Sequence, residues 1–199
     1  MLFRSAGNLI GTDVTGTFAV GNRNYGVGML DKVTNNVIGG SAPDDRNVIS
    51  GNGNGLIFAD AGTRSNVVLG NYIGTDISGM KSLANNIGVW ICNKTTENQL
   101  GGADGTDPNT ISGNTTYGVV VVDAETKNNR IQGNYIGVGR DGVTSLGNGW
   151  SGVAFWGGST ANLLGGKDSS AGNIIANNGD NGIAVFGDTA GNKIGRAHV

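Results

Sequence analysis

Two prolines, one cysteine and one histidine are all that 199 residues contain of the types that usually punctuate, staple or catalyse. One Cys cannot close an internal disulfide, which disfavours a disulfide-stapled secreted module. Charged residues make up 14% of the chain and hydrophobic ones 37%, both below the usual globular share. No apolar run approaches the length of a membrane span, and two Pro exclude a collagen-like chain. A basic surface is missing too. The net charge is −2 and the isoelectric point about 5.2, so nucleic acid is not an expected partner. What fills the chain instead is Gly, 38 residues, and Asn, 26 residues, together almost a third of it. Both are poor helix formers that favour turns and left-handed backbone, which makes long helices improbable. Ile, Val and Leu nevertheless recur at fixed intervals, which argues against a disordered linker.

Those intervals are a repeat. Gly7-Asn8-Leu9-Ile10-Gly11-Thr12-Asp13 returns 63 residues later as Gly70-Asn71-Tyr72-Ile73-Gly74-Thr75-Asp76, and again as Gly133-Asn134-Tyr135-Ile136-Gly137. Between the copies lie Asn47-Val48-Ile49-Ser50-Gly51-Asn52 and Asn109-Thr110-Ile111-Ser112-Gly113-Asn114, so each unit splits into two related coils. Three short apolar segments recur in every coil. One opens at Asn36, Asn66, Asn98, Asn129, Asn162 and Asn192; a second opens at Asn8, Asn47, Asn71, Asn109, Asn134 and Asn173. The third opens at Gly26, Gly55, Gly88, Gly118, Gly152 and Gly182, with alternating apolar residues such as Val89 and Ile91. A period of two marks a strand with one buried face. The expectation is an all-β chain: a right-handed parallel β-helix solenoid of about six coils with three short strands each. Ile10, Ile49, Ile73, Ile111, Ile136 and Ile175 then form one interior column, while Gly and Asn turn the corners and stacked Asn bond along the axis.

The motif N-x-I-x-G-N followed by G-V-x-I resembles the parallel β-helix repeat family of the pectin-lyase-like superfold, over residues 7–195. That superfold is shared by pectate lyases, some polysaccharide epimerases, phage tailspikes and bacterial surface adhesins. The resemblance implies fold rather than activity, because the motif residues are corners and core. The ends stand apart: Met1–Ser5 and Ile194–Val199 look like translated sequencing adapter. Residues 1–5 and 196–199 are therefore expected to be non-native, His198 with them, and residues 6–195 to be one domain cut from a longer protein with flanking domains.

Two sets of residues point to function. Trp90 alternates with the inward Val89 and Ile91, and Tyr72 and Tyr135 alternate with the inward Ile73 and Ile136. With Trp150 on the turn that enters a third strand and Trp156 at a strand end, they give outward rings suited to stacking on a polysaccharide or surface glycan. The alternative is that loops or another chain cover them. A second column, Asp31, Asp60, Asn93, Asp123 and, shifted by one, Asp188, offers carboxylates that calcium between coils would neutralise. Asp13, Asp76 and Asp141 sit on loops, where Asp also builds turns. No cofactor is required, and no Ser- or Cys-type nucleophilic site is complete without a native His. The reading is a non-catalytic, rigid spacer or glycan-binding, adhesin-like segment of a bacterial secreted or cell-surface protein. A polysaccharide lyase or epimerase, marked by two or three Asp converging with an Arg or Lys on one sheet, is the alternative.

Overall fold

The computed structural model describes residues 3–195, 197 and 198. It is a parallel β-solenoid of six coils built from three sheets in which every strand pair is parallel. The first sheet stacks Arg4–Ser5, Val37–Gly39, Val67–Leu69, Gln99–Leu100, Arg130–Ile131, Leu163–Leu164 and Lys193–Ile194. The second stacks Leu9–Ile10, Val48–Ile49, Tyr72–Ile73, Thr110–Ile111, Tyr135–Ile136, Asn173–Ile175 and Ala197–His198. The third stacks Tyr25–Met29, Asn54–Phe58, Ile87–Ile91, Val119–Val121, Val153–Phe155 and Ile183–Val185. Of the adapter-like ends, residues 1, 2, 196 and 199 lie outside the described residues. Arg4–Ser5 pairs in register with Val37–Ile38.

The register sets each residue over its equivalent one coil on. Ile10, Ile49, Ile73, Ile111, Ile136 and Ile175 form one unbroken column in the second sheet. Its middle members are fully buried with Ile38, Val68, Leu100, Ile131 and Leu164 of the first sheet and Phe58, Ile91, Val121 and Phe155 of the third. This interior is apolar, and each large buried side chain contributes roughly 1.5–3 kcal/mol through lost apolar hydration.

Asparagine turns all three corners. Ladders run through Asn36, Asn66, Asn98, Asn129, Asn162 and Asn192, and through Asn8, Asn47, Asn71, Asn109, Asn134 and Asn173. A third, through Asn22, Asn52, Asn85, Asn114, Asn148 and Asn178, guards the entry to the third sheet. In each, Nδ2 donates to Oδ1 of the next Asn at 2.9–3.2 Å. The same Oδ1 usually also accepts the backbone N–H of the preceding Asn, as Asn98 Oδ1 does from Asn66 at 3.1 Å. Tight corners leave backbone N–H groups buried and unable to reach a strand partner, and the amide satisfies them from its own oxygen. The corners are also tight enough to exclude side chains. A Cβ on Gly88 would lie 2.8 Å from Ile111 Cγ2.

Two families of loop decorate alternate coils. Hairpins at residues 12–22, 75–85 and 138–148 leave the second sheet in the first, third and fifth coils, each closed by one antiparallel bridge. They stack on one another: Ile77 N donates to Gly16 O and Arg140 N to Gly79 O, both at 3.0 Å. Ser50 and Ser112 pin them from the coil below. Ser112 Oγ donates to Val138 O at 2.7 Å and accepts from Gly137 N at 2.9 Å. Loops at residues 41–46, 103–108 and 167–172 enter the second sheet in the other three coils. These are tied by Ser41 Oγ to Asp107 Oδ2 at 2.7 Å and by Ser170 Oγ to Ala103 O at 2.9 Å.

Candidate functional site

The three outer faces differ because the loops serve only one of them. The second sheet is roofed by its hairpins. Gly79, in left-handed backbone, abuts the Tyr72 ring so closely that a Cβ there would fall 2.8 Å from Tyr72 Cζ. Arg46 covers the ring from another side, its guanidinium carbon 4.3 Å from the centroid. Tyr72 is therefore only 3% exposed, a correction to the expectation of a free ring. Tyr135 is half-buried beneath Gly142, whose Cβ would lie 3.4 Å from its Cζ. Both tyrosines point away from the core as the alternation requires, but into a roof.

Among the described residues no loop roofs the outer face of the third sheet, whose centre is apolar. Its middle column is Gly28, Ile57, Trp90, Val120, Ala154 and Ala184, in register. Val120 faces outward yet is 0% exposed, because it lies within a second apolar cluster of Ile57, Ala59, Cys92, Val120 and Val122. Tyr25, Ile87, Trp90, Tyr117 and Trp156 pack against that cluster. All its members belong to this face; none comes from the stacked loops. Above the cluster runs an aromatic ridge. Tyr117 meets Trp150 edge-on at 5.1 Å and Trp156 at 5.2 Å, and Trp156 tilts against Phe186 at 6.2 Å. Trp150 is 47% exposed and Phe186 48%. Trp90 is half-buried, and its indole N–H is enclosed without a hydrogen-bond partner. Tyr117 and Phe186 complete the ridge around the expected Trp90, Trp150 and Trp156. The signal for Tyr117 was its place just before a strand-opening Gly, matching Tyr25 and Ile87.

The aspartate column lies at the corners after the third sheet. Asp31, Asp60, Asn93 and Asp123 all adopt left-handed backbone, as do Gly157 and Gly187, which align with them in the last two coils. Asp188 is not in the column. Asp60 Oδ2 accepts the N–H of Asp31 at 3.3 Å and Asp123 Oδ2 that of Asn93 at 3.1 Å. Corner geometry thus accounts for these residues: Asn, Asp and Gly tolerate positive φ, and the carboxylate caps the preceding coil. Among the described residues no group of three or more His, Cys, Asp or Glu comes together as a metal site. The loop aspartates are turn acceptors. Asp13 takes hydrogen bonds from Thr15 Oγ1, Thr17 N and Phe18 N, and Asp141 from Val143 N, Thr144 N and Thr144 Oγ1. These bonds hold both carboxyls down at about 2.

No family model matches the chain, and no curated protein or solved structure matches it significantly.

Recesses lie elsewhere, and two of them hold cationic side chains. A groove of about 620 Å³ follows the first sheet past Glu97, Gln99, Arg130, Leu163 and Lys193. A notch of about 190 Å³ lies over the second sheet, with Arg46, Arg140 and Asp107 among its walls. Each pairs two cationic side chains with one carboxylate. Neither assembles the two or three Asp that metal-assisted cleavage of an acidic polysaccharide would employ.

Proposed function

We propose that this chain is a rigid, non-catalytic β-helix segment of a secreted or cell-surface protein that binds glycan along the outer face of its third sheet. The observation that carries the reading is the aromatic ridge of Trp90, Tyr117, Trp150, Trp156 and Phe186 on a face the loops leave open. Flat rings stack on the apolar faces of sugars, and Asn54 and Asn181, in the column that holds Tyr117, offer amides for hydroxyls. A platform held by three asparagine ladders spends little on reorganisation when it binds.

Trp150 tests this best, because it is exposed and, among the described residues, its one aromatic partner is Tyr117. Glycan binding is to be screened on immobilised polysaccharides with the native protein and with Trp150→Ala. The expected result is binding that Trp150→Ala weakens about tenfold or more at an unchanged melting temperature. Binding unaffected by Trp150→Ala would remove the ridge from the reading. Incubation with pectate or alginate, with and without calcium, is expected to release no unsaturated uronate. Ultraviolet-absorbing product would instead establish the lyase alternative.

A further inference from the structure

The notch over the second sheet belongs to a different face from the aromatic ridge, and its chemistry is different. Arg46 is held there before any ligand arrives: Nε donates to Gly70 O at 3.0 Å, and the guanidinium plane covers Tyr72. Arg140 comes from the hairpin at residues 138–148 and is positioned by its backbone N–H, which donates to Gly79 O at 3.0 Å. Gly79 is also the residue that abuts Tyr72, so one tyrosine ring lies between the supports of both arginines. Two coils separate these arginines in sequence order, and hairpin stacking brings them to the same 190 Å³ recess. Among the described residues no carboxylate lies within 4.0 Å of either guanidinium. The remaining charge is Asp107, whose Oδ2 accepts from Ser41 Oγ at 2.7 Å and Thr106 Oγ1 at 3.1 Å. The notch therefore has one cation held in place, a second carried on a positioned backbone, one carboxylate with an oxygen taken by two hydroxyls, and a formal net charge of +1.

We propose that this notch binds an oxyanion, either a free sulfate-like ion or the same group borne on a larger ligand. A guanidinium fork matches the spacing of two oxygens on one centre, and a pre-positioned fork loses little freedom on binding. The recess is smaller than the pockets that enclose whole organic ligands, so it takes a group rather than a molecule. Like-charge repulsion between Arg46 and Arg140 is relieved when the anion enters.

The test is equilibrium dialysis of the intact protein against radiolabelled inorganic sulfate at constant ionic strength, with methyl sulfate as the competing ester. Arg140 is exposed and makes no side-chain hydrogen bond among the described residues, so Arg140→Gln is expected to keep the fold. It is expected to weaken sulfate binding about tenfold, the loss of one charge-assisted hydrogen bond. Asp107→Asn is expected to tighten binding by removing the opposing charge. Displacement by methyl sulfate identifies a ligand-borne group, and failure to displace identifies the free ion; either supports the site. No measurable binding, or binding that both variants leave unchanged, overturns the proposal. Trp150→Ala, on the other face, is expected to have no effect here, which separates this site from the glycan reading.

Discussion

Asn109 donates its Nδ2 hydrogen to Oδ1 of Asn134, one coil further on and 2.9 Å away, while its own Oδ1 accepts both N–H and Nδ2 of Asn71 from the coil before. All three residues are fully buried. Asn109→Ala would strip the backbone N–H of Asn71 and the Oδ1 of Asn134 of these partners at once. An unpaired buried polar group costs about 1–3 kcal/mol, so two cost roughly 2–6 kcal/mol. Asn109→Asp is expected to be no better, because the new oxygen would face Val68 O and Asn134 Oδ1, both acceptors. Asn24 is exposed, and Asn24→Ala is expected to stay within about 0.5 kcal/mol. Denaturant unfolding of the three variants checks this, and equal midpoints would mean that the ladder adds nothing.

Inward and outward neighbours on one strand give a second comparison. Ile131 is fully buried in the core and Arg130, its neighbour, is exposed. Ile131→Ala is expected to cost about 2–5 kcal/mol, a transfer term plus a cavity, whereas Arg130→Ala is expected to fall within about 0.5 kcal/mol. The second sheet cannot supply this control. Thr110 points outward beside Ile111 yet is only 1% exposed beneath the loops. Thermal melting of the two variants would show equal shifts only if the core were assigned to the wrong face.

Thr110 and Tyr72 mark what a sequence can convey about such a fold. Alternation states which way a side chain points, and it did so correctly for Ile111, Val89, Tyr72 and Trp90. It does not state what lies above, because the roof comes from residues whose order reflects turn chemistry rather than period. Two of the three asparagine ladders were legible because their Asn stands two residues before an inward apolar residue in every coil. The third was hidden. In one coil Asn52 follows Ile49 by three residues, and in the next a whole hairpin separates Ile73 from Asn85. The aromatic ridge was half legible for the same reason. Trp90 sits at the centre of a strand, but Tyr117 sits on the variable approach to one, where register is set by the corner, and Phe186 lies just past the end of another. Trp90 itself is packed among Ile57 and Val120, so Trp90→Ala is expected to destabilise the protein as well as alter the face.

The hairpin carboxyls give the solenoid an acid-sensitive rim. Hydrogen bonds to the charged form, Thr15 first for Asp13 and Thr144 first for Asp141, hold both groups at about 2, below the ordinary 3.8. A folded-state value below the unfolded one means that the carboxylate adds order above about pH 4 and loses it as pH falls through about 2. Amide hydrogen exchange at Val143 and Thr144 should accelerate, relative to the intrinsic rate, over that interval while the buried strand amides stay protected. Asp141→Asn should abolish the pH dependence at its own hairpin and leave that of Asp13 intact. Protection that is flat down to pH 2 in the native protein would show that these bonds do not order the hairpins.

The single thiol reports on the aromatic face. Cys92 lies in the column next to Trp90 and Val120, buried within the outer cluster, with Sγ 3.7 Å from Phe58 O. Burial, then the Asp123 and Asp60 carboxylates, push its thiol up to about 12. The thiolate is the reactive form, so at about pH 8 roughly one molecule in ten thousand is ionised, against about one in ten for a thiol at 9. Alkylation by iodoacetamide is therefore expected to run about a thousandfold slower in the native protein than in denaturant, from ionisation alone. Enclosure by the cluster slows it further. The rate should rise steeply across the unfolding transition and track it. Native alkylation within tenfold of the denatured rate would mean that the cluster opens readily, and that the face supporting the aromatic ridge is not the packed surface described above.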